Sequence, residues 1–507
     1  HRGVGEAVNS LVAIDMTPDD AELNDGELLF GGTDFVSSPA LSPNGNQLAW
    51  LSWDHPNMPW DSVQLWTAGI DSNGLLVEAT ELNSGQDEAV MQPQWASDGE
   101  LIFISDRDNW WNYYRYAGGA IKRINRHQIE LAGPAWGLGM TFYQLTSQGQ
   151  IVSYYNERGR EGLALIDTNS GELEKLPLSL AHVGSLALSG STLYFVAGFA
   201  SKPTVVAKLD LDRQSLDVVQ GKAVASVPID TIAKARELSF PTSGDQTAHG
   251  FYYPPTHAGF EAPADELPPL IVKAHGGPTA HATPAFSRGI QFWTSRGFAV
   301  LDLNYRGSTG FGRDYRRALY PTWGEADVDD AVAGASYLVE QQLADPKRLI
   351  IRGGSAGGFL VLASMAFKDT FKAGANYYGV SDIEALAKDT HKFESRYLDK
   401  LVGPYPEQQD VYRARSPINA LAGFDQPLIT LQGLEDRVVP PGQSEVVVNA
   451  LREKGVPVAY LAFEGEQHGF RRAENIARAH EAELYFYGRV FGFNPAGDIT
   501  PIEIENF

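Results

Sequence analysis

The feature that most constrains the fold is a change of pattern near Glu237. Before it the chain reads as short apolar strands separated by turns; after it, strands alternate with long helical stretches. The second pattern is that of a mostly parallel sheet covered by helices on both faces. In the first, within residues 35–223, a turn followed by an apolar strand recurs: residues 42–45 before 47–51, 96–99 before 101–104, 146–149 before 151–154, and 189–190 before 193–196. A repeat of roughly 40 to 55 residues suits four-stranded propeller blades, with an irregular β-sandwich as the alternative. Residues 10–14 and 27–30 are strand-like around a Pro/Asp-rich loop and read as the closing strands of an earlier blade. About four and a half blades are therefore expected, and an opening at His1, in mid-blade and without Met, suggests that upstream sequence is missing.

At 507 residues the chain is too long for one hydrophobic core. The expected division is a propeller domain over residues 1–236, a catalytic domain over 237–494 and a tail over 495–507. A net charge of −23 disfavours nucleic acid and anionic membrane surfaces, and no apolar run has the length to span a bilayer. The absence of Cys excludes disulfides, thiol nucleophiles and thiolate zinc sites. It does not decide the compartment, for which the cytoplasm is the expectation.

The chemistry centres on Ile350-Ile351-Arg352-Gly353-Gly354-Ser355-Ala356-Gly357-Gly358-Phe359, a strand that runs through a Gly-flanked serine into a helix. That is the setting of a nucleophile elbow in an α/β-hydrolase domain, where a turn too tight for side chains on its flanks lifts the serine above the sheet. A serine hydroxyl needs a general base, and the base an orienting acid, in the chain order Ser, Asp or Glu, His. The strand at residues 428–431 ends in Gln432-Gly433-Leu434-Glu435-Asp436, making Asp436 the acid with Glu435 as its rival. The strand at 459–463 ends in Glu464-Gly465-Glu466-Gln467-His468, making His468 the base. His391 and His480 also follow Ser355, but both lie in helix-like stretches and read as surface residues. Two oxyanion donors are required: the amide of Ala356, after the nucleophile, and one from the loop His275-Gly276-Gly277-Pro278. Gly277 is the choice there, with the His275 side chain as the alternative.

Together the motifs HGGP, NYRGSTGFG, GGSAGG, GLEDRVVP and EQHGF resemble the prolyl oligopeptidase family of serine peptidases, within it the dipeptidyl-aminopeptidase and acylaminoacyl-peptidase branch, which includes bacterial aminopeptidases acting on puromycin. The resemblance implies a β-propeller followed by an α/β-hydrolase domain. It also implies Ser355, Asp436 (over Glu435) and His468 as the triad, Gly277 and Ala356 as the oxyanion hole, and no metal or cofactor. Val380, Ile383 and Val439 are implied to line the pocket for the residue before the scissile bond, with plain core as the alternative. Two departures limit the transfer. Oligopeptidases and dipeptidyl peptidases of the family carry Tyr where this chain has His275, and the family's propeller normally has seven blades.

Residues 53–61 and 105–112 interrupt blades with Trp, Asp and Asn. Asp54 or Asp61 could meet a substrate's free amine, or these loops could simply cap the blade. The expected activity is hydrolysis of short peptides or aminoacyl amides through an acyl-enzyme, with an oligomer allowed. A carboxylesterase with the same triad and a non-catalytic propeller scaffold are the alternatives.

Overall fold

The computed structural model describes residues 6–14, 26–84, 87–221 and 228–507. The loop expected between the first two strands falls mostly outside them. Four antiparallel four-stranded meanders follow one another. The first blade comprises Phe35–Leu41, Gln47–Trp53, Gln64–Ile70 and Leu76–Glu81, and the second Val90–Trp95, Leu101–Ser105, Asn112–Ala117 and Ala120–Arg123. The third comprises Tyr143–Leu145, Gln150–Glu157, Arg160–Asp167 and Leu173–Lys175, and the fourth His182–Ser189, Thr192–Gly198, Val205–Asp210 and Ser215–Gln220. A two-stranded pair, Leu11–Ala13 with Glu27–Phe30, precedes them, and Phe30 sets its ring against Trp50 and Trp66 of the first blade.

Side chains on or just before the first strand of a blade tie it to its neighbour's backbone. Trp95 Nε1 donates to the Ala40 carbonyl at 2.9 Å, Gln92 Nε2 to the Tyr143 carbonyl at 2.7 Å, and Thr141 Oγ1 and Gln144 Nε2 both to the Leu186 carbonyl at 2.9 Å. Such bonds help fix the angle between neighbouring sheets, together with others such as Tyr113 Oη to Ser153 Oγ at 2.6 Å and the Val183 amide to Glu161 at 2.8 Å.

The remainder is one eight-stranded sheet. Its strands are β1 (Arg236–Thr242), β2 (Gln246–Tyr253), β3 (Leu270–Ala274), β4 (Ala299–Asn304), β5 (Leu349–Gly354), β6 (Ala373–Tyr377), β7 (Leu428–Gly433) and β8 (Val458–Phe463). Their spatial order is β1-β2-β4-β3-β5-β6-β7-β8, parallel from β4 to β8 with β1 and β2 antiparallel at one edge. The central strands are mostly apolar because both faces are covered, and their polar residues lie towards the C-terminal ends, as Lys273, Asp302 and Arg352 do. Ile271, Val300, Ile350 and Ile429 pack with Trp293, Phe298 and Tyr487, while Leu270, Val272, Leu301 and Ile351 pack with the helices Ala326–Glu340 and Ala356–Phe367. Residues 495–507, read as a tail, return to the sheet: Glu505 exchanges backbone hydrogen bonds with Val458, and Arg452 pairs with its carboxylate.

The blades and the sheet share one continuous apolar cluster running from Trp60 and Trp111 to Tyr305, Trp323 and Phe359. Residues 312–320, after β4, lock into the blade-interrupting loops. Arg316, fully buried, donates to Asp106 Oδ2 at 2.5 Å and to the Trp60 carbonyl, with its guanidinium 4.4 Å from the Trp111 ring centroid. Arg317 forks onto Asp87, and Tyr320 donates to Asp61 at 3.0 Å. Two further carboxylates bridge this seam. Glu130 accepts from the amides of Trp111 and Gly312, and Glu161 is bonded by His182 and His281 at 2.7 Å each.

Candidate active site

Ser355 sits between the end of β5 and the helix Ala356–Phe367, at φ 57° and ψ −123°. A left-handed conformation is costly for a residue with a Cβ and persists only where its surroundings impose it. Here the backbone imposes it: a Cβ on Gly353 would lie 2.4 Å from the Gly357 carbonyl oxygen, and one on Gly357 2.5 Å from that of Ala274. The glycines therefore let strand, turn and helix touch. Beneath the turn Arg352 is held by both oxygens of Glu483 at 3.0 Å, and that buried carboxylate also accepts from Tyr377 and Tyr487.

His468, on the loop after β8, places Nε2 2.9 Å from Ser355 Oγ and Nδ1 2.7 Å from Asp436 Oδ2. The other oxygen of Asp436 accepts the amides of Val438 and Val439, both at 2.9 Å, which fixes the carboxylate in its own loop. Glu435, the rival acid, is exposed. Glu466 holds the histidine loop from within, accepting from the amides of Arg471 and Arg472 and from Asn475. Tyr378 sets its ring edge-on to His468. Three groups from three strand ends thus form one hydrogen-bonded path, able to move a proton from the Ser355 hydroxyl to His468.

Ser355, Gly277, Trp136, His391, Glu394 and His468 line a cavity of about 780 Å³. A smaller, largely apolar cavity opens beside it, with Ser355, Gly277 and Glu394 in the walls of both. Ala356 lines the smaller one and is the first residue of its helix, so its amide has no acceptor within the helix. The His275 ring is already engaged: it stacks on Tyr305, Nδ1 meets the Gly276 carbonyl and Nε2 meets Ser308 Oγ, each at 2.8 Å. Burial pushes its pKa down to about 3, which keeps it neutral. An imidazole so occupied has no free N–H for a substrate oxygen.

Of the three pocket candidates, Val380 and Val439 line the smaller cavity. Ile383 does not; it opens the helix Ile383–Lys388, is fully buried, and gives its amide to Ser416 Oγ, because the helix turns that face into the core. Asp54 and Asp61 also lie away from both cavities. Asp61 is buried, accepting from the Met58 amide and Tyr320, and Asp54 accepts the Asp34 amide. In the second interrupting loop Asp106 pairs with Arg316 and Asp108 with Arg123. Both loops serve the seam.

Sequence reasoning missed part of the wall. His391 is exposed, as expected, but also lines the main cavity; His480, expected on the surface, is half-buried and lines it too, as do Trp136, from the loop between the second and third blades, and Glu394. Lys273 and Arg352 also reach it, but Asp302 and Glu483 neutralise them. Among the described residues no cluster of His, Asp or Glu is arranged to hold a metal ion, and no helix is long and apolar enough to cross a membrane.

The profile of the prolyl oligopeptidase family matches residues 284–494. Among curated proteins, the dipeptidyl aminopeptidase BIII of Pseudoxanthomonas mexicana is 32% identical over 43% of this chain and 32% of its own length. The acylamino-acid-releasing enzyme of Arabidopsis thaliana is 33% identical over 41% of this chain and 28% of its own length. The chain thus spans about a third or less of these curated relatives. A solved structure of puromycin hydrolase is 39% identical, with a TM-score of 0.91 over 94% of this chain and 73% of that one. The similarity runs along nearly the whole of this chain, which belongs to the prolyl oligopeptidase family of serine peptidases.

Proposed function

We propose that the chain is a serine peptidase that hydrolyses short peptides or aminoacyl amides from their N-terminal side. Ser355 is the nucleophile, His468 the general base and then acid, and Asp436 the group that orients the imidazole. The observation that carries this reading is the continuous path Asp436–His468–Ser355, with bonds of 2.7 and 2.9 Å, opening into a chamber between hydrolase and propeller. His468 takes the hydroxyl proton as Ser355 Oγ attacks the substrate carbonyl, and the developing oxyanion faces the amides of Gly277 and Ala356. His468 then protonates the leaving amine, and water, activated by the same imidazole, clears the acyl-enzyme. The names of the relatives support the substrate class: one hydrolyses puromycin, one is a dipeptidyl aminopeptidase and one releases acylamino acids.

The test is fluorophosphonate labelling of Ser355, followed by parallel hydrolysis of aminoacyl anilides and nitrophenyl esters. Labelling with anilide turnover is expected. Turnover of esters alone would identify a carboxylesterase, and a folded protein that is not labelled would be a scaffold.

A further inference from the structure

Beyond Ser355 the main cavity continues along the sheet. Its wall runs from His468 and Phe470 to Ile476 and His480 on one side, and along β5 from Ser355 to Arg352 on the other. A further cavity of about 260 Å³ adjoins that end, between Trp293 of the helix Arg288–Thr294 and His480 of the helix Ala473–Phe491. Lys273, Arg352 and His480 stand in the walls of both.

The charges at this junction are ordered by strand register. Lys273 on β3 pairs in register with Arg352 on β5 and, on its other side, with Asp302 on β4. Three adjacent strands therefore present a carboxylate, an ammonium and a guanidinium in a row, which Glu483 closes from the helix Ala473–Phe491. The sum is neutral, but the two cations are neighbours with an acid only on each outer flank. Nor are their donors used up. Lys273 Nζ gives one bond, to Asp302 at 2.7 Å, and Arg352 meets Glu483 through Nε alone. The two terminal amino groups of the guanidinium have no hydrogen-bond acceptor among the described residues. A cavity wall with two adjacent cations and spare N–H donors suits a carboxylate, which Arg can bind through two oxygens at once.

We propose that Lys273 and Arg352 bind the C-terminal carboxylate of the leaving fragment, which favours peptides that end within two residues of the scissile bond. The assignment rests on Ser355 being the nucleophile. His468 gives its proton to the leaving amine, so that fragment lies on the imidazole's side, where the wall leads through Phe470 to His480. The reach is suitable: Arg352 precedes Ser355 by three strand residues, about 10 Å, and a two-residue fragment spans about 7 Å before the arginine side chain is counted. An amidated or longer C-terminus would offer the cations a neutral group in place of the anion and forfeit the charge-assisted bonds. Lys273 and Arg352 are thus specificity-determining residues for the side of the substrate that leaves first.

The experiment compares Phe-Gly-Gly with its C-terminal amide, each cleaved after Phe, in the intact chain, in Glu483→Gln and in Arg352→Gln combined with Glu483→Gln. The double substitution removes the guanidinium and its acid together, so no unpaired charge is left inside. Acid and amide are read in the same protein, so a loss of turnover common to both cancels. We expect the intact chain and Glu483→Gln to favour the acid by about tenfold in kcat/KM, and the double variant to lose most of that preference through KM. Equal rates on acid and amide in the intact chain overturn the proposal, as does a preference that survives in the double variant. Faster cleavage of Phe-Asp-amide than of Phe-Gly-Gly would assign the cations to a side-chain carboxylate, and inhibition by sulfate equal to that by Gly-Gly would make them a site for a free anion; either result overturns it too. If no peptide is cleaved, the peptidase reading alone fails, and calorimetric binding of the same acid and amide to Ser355→Ala decides the ratio, with equal affinities overturning the proposal. Should the double variant not fold, Lys273→Gln combined with Asp302→Asn is read in its place.

Discussion

The two sides of the chamber are built by opposite rules. On the hydrolase side Ser355, Asp436 and His468 each end a strand or follow one directly, and the register of β5, β7 and β8 brings them together. Facing them, Trp136 from the propeller and the hydrolase segment carrying His391 and Glu394 have no strand or α-helix to place them. Trp136 is set by a 2.7 Å bond from its indole to the Thr279 carbonyl, and Glu394 by its neighbours' contacts with the first blade. One side holds its geometry locally. The other depends on the seam, which teaches that chemistry and selectivity in this molecule have separate structural supports.

The separation can be broken at its strongest point first. Ser355→Ala or His468→Ala should lower kcat on the order of 10⁶-fold, and Asp436→Asn on the order of 10⁴-fold, with KM little changed, because these groups act as a unit on the reacting atoms. Steady-state kinetics on one aminoacyl anilide checks all three. A comparable kcat loss from Trp136→Ala would mean that the propeller side takes part in the chemistry. On the present geometry that change should raise KM and leave kcat within about tenfold.

The seam is the next target. Arg316 is fully buried with Asp106 beside it, so Arg316→Met leaves a carboxylate in the interior without its closest cation. A loss of about 3–5 kcal/mol is expected in denaturant unfolding. If domain contact matters for the propeller side alone, the surviving folded protein should still be labelled at Ser355 by a fluorophosphonate while discriminating less among substrates.

The same contrast explains what the sequence could show. A nucleophile elbow, an acid after β7 and a histidine after β8 are each readable because a short stretch fixes both the element and the side chain's place at its end. Blades were readable from turn-strand repeats for the same reason. Asp54 and Asp61 were offered for a substrate's amine, with a capping loop as the alternative, and the capping role is what the structure shows: Asp54 is exposed and accepts the Asp34 amide, and Asp61 is buried against Tyr320, 259 positions away. His391 and Glu394 were missed because the stretch between Ile383–Lys388 and Leu398–Leu401 looks helical, whereas a 3-10 turn and contacts with Ala7, Asp34 and Phe35 decide where it points. Ile383 shows the reverse: an apolar residue three positions from Val380 falls on the core side of a helix start, and no periodicity in six residues reveals that.

The subtlest test uses two seam carboxylates that respond to pH in opposite directions. Burial raises the Glu161 carboxyl, but hydrogen bonds from His182 and His281 outweigh it and hold the group at about 2. Its folded pKa lies below the ordinary 4.5, so its stabilisation is present above 4.5 and is lost as pH falls towards 2. Glu130 is the converse: burial, opposed by Arg316, pushes it up to about 7. The folded state therefore prefers it protonated, and stability declines as pH rises from 4.5 to about 7, levelling off beyond. Each effect is on the order of 3 kcal/mol. In denaturant titrations across pH, Glu161→Gln should flatten the acid limb and Glu130→Gln the neutral limb, each leaving the other in place. If one substitution flattens both limbs, the two carboxylates are coupled through the seam, and the propeller side of the chamber is held by a single cooperative contact rather than by two independent ones.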